Sequence, residues 1–416
     1  MSGHDAFAAL RHRDFALVTV NQFCLTLAIL IQEVTVAYAL YQLTRDPLTL
    51  GLIGLAEAIP FIGLSLWGGY VADRFNRQRI MQWCLWLALP LPLVFAWLFA
   101  QHDAGLISQS QLLWGCYAVI FALGMIRGFY GPSVSSLKPF LVPRVLYPNA
   151  ATWTTVGWQS GVVLGPVTAG FMYAGLGLAN TLYAVSGLLV LCVLLVINLK
   201  PRTFPPMDQG SVLSGLREGF GFIWRTKIVF WSISLDLVSV LLGGAIALLP
   251  IFAEEILKVG PEGLGLLRAA PSVGALLMMV VLTRYPPTHH AWRNMLLAVL
   301  GFGVFTLVFA YSTTMWLSLL ALAFTGAFDS ISVVIRQTIL QIFPPENLRG
   351  RVAAVNGMFV SSSNELGGFE SGLTARYLGA VNAVVMGGAL TLAVLGLTWW
   401  RTRDLLNMPV EAEDRA

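Results

Sequence analysis

Charge is what this chain has least of. Asp, Glu, Lys and Arg make up 11% of its 416 residues, less than half of the roughly 25% carried by soluble globular chains. Water-exposed surface cannot be built from so little charge, so a soluble enzyme and a disordered chain are both excluded. A nucleic-acid binder is excluded too. The pI is near 8.9, but the net charge is only +4 and the basic residues sit between apolar runs. Cysteine is also scarce. Cys24, Cys84, Cys116 and Cys192 each lie inside an apolar run and none forms a C-x-x-C, which reads as packed thiols. The five histidines, His4, His12, His102, His289 and His290, fall at ends or in loops. No His/Cys cluster has ligand spacing, so neither metal nor cofactor is expected. No G-x-x-x-x-G-K-[ST] is present, so the chain has no nucleotide-hydrolysing site of its own.

What is abundant is apolar sequence. Hydrophobic residues make up 57%, and the mean hydropathy is +0.74. The apolar residues come in solid blocks of about 20–28, not in alternating strands of ~10, which excludes a β-barrel. The expected class is an all-α integral membrane protein. Twelve spans can be drawn: 15–42, 47–73, 78–100, 112–137, 148–173, 177–199, 227–253, 262–284, 292–311, 315–342, 349–376 and 380–402. The first is too long for a signal-peptide core and is expected to be retained. The longest break, Lys200–Thr226, holds Pro201, Pro205, Pro206, Asp208 and Gly210, which is linker chemistry. It separates a first six-span bundle, 1–200, from a second, 227–416, with 201–226 as a cytoplasmic linker. Within the linker, Val212–Trp224 is expected to form a short amphipathic helix on the membrane surface.

Basic residues set the orientation. With the N-terminus cytoplasmic, 19 of the 25 lysines and arginines lie on the cytoplasmic side. Three (Arg45, Lys258, Arg376) lie opposite and three (Arg127, Arg268, Arg336) within spans. The positive-inside rule then places both termini in the cytoplasm. The two halves are related. Gly54-Leu55-Ala56-Glu57-Ala58-Ile59-Pro60 with Gly63 recurs as Gly265-Leu266-Leu267-Arg268-Ala269-Ala270-Pro271 with Gly274, an offset of 211. Gly165 and Gly170 recur as Gly367 and Gly372, an offset of 202. Duplicated units of this kind hold a binding site near the midplane between the halves.

The loop between the second and third spans reads Gly69-Tyr70-Val71-Ala72-Asp73-Arg74-Phe75-Asn76-Arg77-Gln78-Arg79. Asp73 ends its own helix, where the dipole disfavours an anion, so it needs a partner. The pattern resembles the signature loop of the major facilitator superfamily, G-x-x-x-D-R-x-G-R-R/K, with Asn76 at the usual glycine. Asn tolerates the left-handed turn a glycine would take. The resemblance implies that Asp73 helps latch the two halves, beside Gly69, Arg74, Arg77 and Arg79. The fifth span carries Gly161-Val162-Val163-Leu164-Gly165-Pro166-Val167-Thr168-Ala169-Gly170, similar to the superfamily's antiporter motif, which goes with export more often than import. Physically, a small-x-x-x-small face permits close helix contact and the proline bends the helix. Gly265–Leu277 and Ser363–Ala375, the latter after Arg349-Gly350-Arg351-Val352, resemble the branch that includes the enterobactin exporter. The fold implied is two pseudo-symmetric six-helix bundles.

Ionisable groups at membrane depth are expensive and default to a functional reading. Gln22, Thr26 and Glu33 share one face of the first span. Ser232, Asp236 and Ser239 share one of the seventh, and Thr325, Asp329, Ser332 and Arg336 one of the tenth. Arg127 lies in the fourth span. The resemblance implies that these four spans line a central cavity. Glu33 and Glu57 each lie about ten residues, ~15 Å, below an outer helix end and could meet. Asp236 (~14 Å) and Arg127 (~15 Å) match in depth, so Arg127 is the expected partner of Asp236 in a proton switch. Arg268 is the repeat counterpart of Glu57 with opposite charge. Asn364, Glu365 and Glu370 form a polar stretch of the eleventh span, the two acids pointing ~140° apart.

The function expected is proton-coupled export of a small amphipathic molecule, siderophore-like or drug-like, across the bacterial inner membrane. The alternatives are an importer of a small nutrient on the same fold, or a non-transporting receptor or lipid-handling protein. A metal exporter is weaker still. Expected partners are the bilayer, a small-molecule substrate and protons, with no nucleic acid, and the expected assembly is a monomer.

Overall fold

The structure, a computed structural model, describes residues 5–201, 212–243, 245–287 and 289–406, and every side chain among them except those of Leu66, Asp73, 212–214 and Asn347. The linker residues Pro205, Pro206, Asp208 and Gly210 lie outside it. The described residues form helices α1 (Arg13–Thr44), α2 (Pro47–Arg74), α3 (Arg77–Ala88), α4 (Leu91–Asp103), α5 (Gln109–Leu137), α6 (Tyr147–Ile197) and α7 (Val212–Arg225). There follow α8 (Lys227–Leu242), α9 (Ala245–Ile251), α10 (Gly260–Arg284), α11 (Ala291–Ala310), α12 (Met315–Ile342), α13 (Glu346–Leu378) and α14 (Ala380–Arg401).

Each of the twelve predicted spans falls on helix, and among the described residues ten helical stretches are long and apolar enough to cross a membrane. One stretch, Arg144–Ile197, contains two predicted spans. They run together as α6 and part at Gly177, whose φ of 76° and ψ of 174° suit a residue without Cβ. α13 is as long as its neighbours but too polar to be one of the ten. The third predicted span is broken between α3 and α4, where Pro90 and Pro92 remove two backbone donors. The seventh is broken after Leu242 and ends in a π-helical turn, Phe252–Ile256. The amphipathic linker helix is α7, one residue longer than expected.

Two compact units emerge. One comprises Met1–Leu43, Ala56–Asp208 and Gly260–Gly265; the other comprises Thr44–Leu55, Gln209–Val259 and Leu266–Ala416. Each unit takes in the first turns of a helix from the other sequence half, α2 in one case and α10 in the other. These pieces fall on the segments that repeat at offset 211. In the first unit, a Cβ on Gly265 would sit 2.5 Å from the Pro166 carbonyl oxygen and 3.3 Å from Gly170 Cα. In the second, a Cβ on Gly54 would sit 3.0 Å from the Glu365 carbonyl oxygen, and one on Gly372 2.7 Å from Gly51 Cα.

The duplication also shows in backbone conformation. Gly177 and Gly379, again 202 residues apart, both sit in turns between consecutive spans with φ of 76° and 85°. Arg45 and Lys258, each just before the second span of a half, both have left-handed φ, 51° and 54°. Nine of the 13 tryptophans are exposed on the protein surface, as a chain solvated by lipid requires. The N-terminal end of α8 is tied to the chain after α14 by Lys227 Nζ, which donates to both oxygens of Asp404 at 2.7 and 2.8 Å. That hydrogen bond holds the Asp404 carboxyl below its ordinary range.

Glycines set how closely the helices cross. A methyl at Gly124 of α5 would overlap the Glu57 carbonyl oxygen of α2, and one at Gly326 of α12 the Pro271 carbonyl oxygen of α10. Gly124 and Gly326 are themselves 202 residues apart. A methyl at Gly274 would overlap the Ala323 carbonyl oxygen from the other side of the α10–α12 contact. Gly274→Ala or Gly326→Ala is therefore expected to cost about 1–3 kcal/mol by overpacking. Gly396→Ala, where a Cβ meets nothing within 4 Å, is expected to leave stability unchanged. Thermal unfolding of the purified variants in detergent checks this.

Candidate functional site: buried charge pairs

The α2–α5 crossing brings two opposite charges together. Gly124 and Gly128 let α5 lie against the α2 backbone around Glu57 and Leu64. One turn after Gly124, Arg127 forms an ion pair with Glu57. The Arg127 guanidinium also lies 5.0 Å from the centre of the Phe61 ring. Two polar contacts that sequence reasoning missed tie α1 to α5 and the turn after it. Asn21 Nδ2 donates to the Tyr130 hydroxyl at 3.1 Å, and Lys138 Nζ donates to Gln22 Oε1 at 2.6 Å. The adjacent Asn21 and Gln22 in an otherwise apolar run were the available signal.

A second pair lies in the other unit. Asp236 of α8 and Arg336 of α12 form an ion pair with side chains only 6% and 3% exposed. Asp329, two turns before Arg336 on α12, shares with Asp236 the wall of a small cavity closed by Phe302 and Phe328. The cavity offers ≈ 10 Å³, room for about one water molecule. The serines of this face are mostly occupied with their own helices. Ser232 Oγ donates to the Val229 carbonyl at 2.9 Å and Ser239 Oγ to the Leu235 carbonyl at 2.7 Å. The polar stripe on α8 is thus an acid flanked by back-bonded hydroxyls.

These contacts correct the expected pairing. Asp236 meets Arg336, not Arg127, and Arg127 meets Glu57. Matching depth suggested Arg127 for Asp236, and depth carries no information about lateral neighbours. Among the remaining candidates, Glu33 on α1 and Arg268 on α10 are half-buried. The polar stretch of α13 is dispersed. Asn364 is exposed and donates to its own helix at Val360, while Glu370 accepts from Thr374 Oγ1 at 2.9 Å. Glu365 is half-buried, its backbone facing Gly54. Among the described residues no three His, Cys, Asp or Glu side chains gather where a metal ion would fit.

The loop between α2 and α3 is built around Arg77, which is 1% exposed. Its Nε donates to the Ala72 carbonyl at 3.1 Å and its NH1 to the Ser136 carbonyl at 3.2 Å. One guanidinium thereby satisfies carbonyls near the C-terminal ends of α2 and α5. Arg74 and Arg79 are exposed, and Arg74 lies over the Tyr70 ring at 4.6 Å. Asn76 is not left-handed. Its φ is −66° and ψ 108°, and its side chain accepts from the Arg79 N–H at 3.2 Å, making it the N-cap of α3. Capping, one of asparagine's strongest preferences, explains its presence better than tolerance of a glycine turn. A Cβ at Gly69 would meet nothing within 4 Å. The side chain of Asp73, the expected latch, lies outside the described residues.

The family model described as Major Facilitator Superfamily matches residues 18–368. The chain belongs to that superfamily. It is 25% identical over 384 residues to the multidrug efflux pump Tap of Mycolicibacterium fortuitum, covering 86% of this chain and 89% of that protein. It is also 25% identical over 403 residues to the enterobactin exporter EntS of Salmonella choleraesuis (strain SC-B67), covering 92% and 93%. Among solved structures, the nucleoside transporter NupG matches 94% of this chain and 99% of that one, with a TM-score of 0.71 at 14% identity. A bacterial homologue of the iron transporter ferroportin matches 93% and 98%, with a TM-score of 0.71 at 17% identity. These likenesses establish a shared fold.

In this superfamily transporter the glycines of the α6 motif are packing surfaces. A Cβ at Gly161 would lie 2.8 Å from Thr26 Cβ, and one at Gly165 2.7 Å from Leu30 Cβ, both on α1. A Cβ at Gly170 would face the first turn of α10, 3.2 Å from Gly265 Cα. The motif therefore holds α6 against α1 along one stripe. Of the signature-loop arginines, Arg77 alone is buried. Arg77→Ala is expected to cost about 1.5–3 kcal/mol through carbonyls left without a charged donor. Arg74→Ala and Arg79→Ala are expected to stay within about 0.5 kcal/mol of wild type. Detergent unfolding curves of the three variants make the comparison.

Proposed function

We propose that this chain is a proton-coupled exporter of a small amphipathic molecule, siderophore-like or drug-like, working by alternating access. It would sit in the bacterial inner membrane with both termini cytoplasmic, the sequence halves 1–200 and 227–416 moving about the linker 201–226. The group of Asp236, Asp329 and Arg336, in which Asp236 and Arg336 are buried, carries this reading. Arg336 pairs with Asp236, and Asp329 lies with Asp236 on the wall of a cavity with room for about one water. One proton balances that charge count, and moving the arginine from one acid to the other changes which acid must hold it. An equilibrium in which protonation and cargo binding favour different conformations couples the two. Export as the direction is supported by both relatives, the Tap efflux pump and the EntS exporter. The excess of basic residues on one side supports the orientation.

The Glu57–Arg127 pair has the opposite chemistry, one acid for one base. Its proposed part is to hold α2 on α5 and to offer a fixed dipole to cargo. Glu33 and Arg268 are proposed as further polar contacts along the pathway. Asp73, at the end of α2 where the helix dipole disfavours an anion, is proposed as the cytoplasmic latch.

The test is pH-gradient-driven movement of a fluorescent amphipathic dye in proteoliposomes. Asp236→Asn and Asp329→Asn should each reduce driven flux to the protein-free leak while downhill exchange persists. Removing one charge strands Arg336 at a cost of about 3–5 kcal/mol, so the double variant Asp236→Asn/Arg336→Gln is included. It should regain wild-type abundance and still fail to couple. Full coupling in both single variants contradicts the assignment, and dye accumulation in energised right-side-out vesicles contradicts export.

A further inference from the structure

A second and larger cavity lies apart from the charged group, enclosed by α7, α8 and α13, with a volume of ≈ 390 Å³. Its wall includes Leu216 and Phe220 of α7, Leu237 and Leu241 of α8, and Met358 of α13, and is apolar except for Ser362 and Ser363. Its depth is informative. α8 begins at Lys227, beside α7, and Leu241 lies 14 residues further in, ~21 Å along the helix. One leaflet of the hydrocarbon core is about 15 Å thick. The cavity therefore runs from the membrane interface to the bilayer middle, the reach of one acyl chain.

The roof has the chemistry of a headgroup site. α7 is strongly amphipathic and is fixed to α13 by Gly215 and Gly219, which lie against Arg351, and by the Arg351–Glu218 ion pair. Beside the cavity, the exposed aromatics Phe220 and Trp224 of α7 stack at 6.1 Å. With them are the exposed cations Arg217 and Arg225. Arg217 sits next to Leu216 and one turn before Phe220, the two α7 residues that line the cavity. Interfacial aromatics with basic residues on an in-plane helix match an anionic lipid surface.

We infer that this cavity holds one anionic phospholipid, an acyl chain in the slot between α8 and α13 and the headgroup phosphate on the basic face of α7 at Arg217. The lipid fastens the linker helix to the second unit. Its apolar contribution scales with the number of methylenes buried. The exposed arginines add a headgroup preference that high salt weakens.

The test counts lipids retained by the purified full-length protein. Native mass spectrometry is run after graded delipidation and re-addition of phosphatidylglycerol or phosphatidylcholine. One phosphatidylglycerol per chain should persist after phosphatidylcholine is lost. Ser362→Trp, which fills the slot, should abolish retention of both lipids. Arg217→Gln, at an exposed position that leaves the slot intact, should abolish only the preference between them. A brominated-acyl phosphatidylglycerol should quench the fluorescence component lost in Trp224→Phe. No retained lipid in the wild type, undiminished retention in Ser362→Trp, or an unchanged headgroup preference in Arg217→Gln would each overturn the inference.

Discussion

A charge moved from water into hydrocarbon must bring a counter-charge with it, and the interior of this protein is arranged around that requirement. An unpaired ion at the membrane centre costs several kcal/mol. Bringing a counter-charge requires two helices to approach closely enough for short side chains to meet. Here glycines provide the approach. Gly124 brings α5 onto α2 one turn before the Glu57–Arg127 pair, and Gly326 brings α12 onto α10 one turn before Asp329. The polar chemistry and the close packing are therefore one design problem. At the α2–α5 crossing the helices that carry the charge pair are also the helices that meet at glycine.

The same crossing built twice gave the two halves different electrostatics. Glu57 and Arg268 occupy matching places in the repeat and have opposite charge. The first half balances one acid with one base on α2 and α5. The second places two acids and one base, Asp236, Asp329 and Arg336, on α8 and α12. Duplication supplied the frame, and divergence at a few positions supplied the electrostatic asymmetry between the halves. The frame itself kept its backbone, as shown by Gly177 and Gly379 and by Arg45 and Lys258, which hold matching unusual conformations.

Much of this was legible in the sequence because hydrocarbon imposes a strict length on every span. The positions of all twelve spans and the amphipathic α7 follow from apolar run length, and the glycine echoes announce the duplication. Interruptions were harder to see. Pro90 and Pro92 break the third span, yet a proline is common inside membrane helices that stay whole, as Pro60 and Pro166 do. Helical spacing correctly put Asp236 and Arg336 on polar faces, but a face has no address. Which helix lies opposite is decided by packing between neighbours, so Arg127 looked as suitable as Arg336. Asn76 shows a related limit. Its residue type allows both a left-handed turn and an N-cap, and only the chain direction into α3 decides between them.

The central claim is that the Asp236, Asp329 and Arg336 group carries an exchangeable proton. Infrared difference spectroscopy of the purified protein, recorded between acid and neutral pH in light and heavy water, reads that proton through the carbonyl stretch of a protonated carboxyl. The account predicts a carboxyl band in the wild type that is absent from Asp236→Asn, Asp329→Asn or both, and unaltered in Glu57→Gln. A band that survives in both aspartate variants and disappears in Glu57→Gln would contradict it.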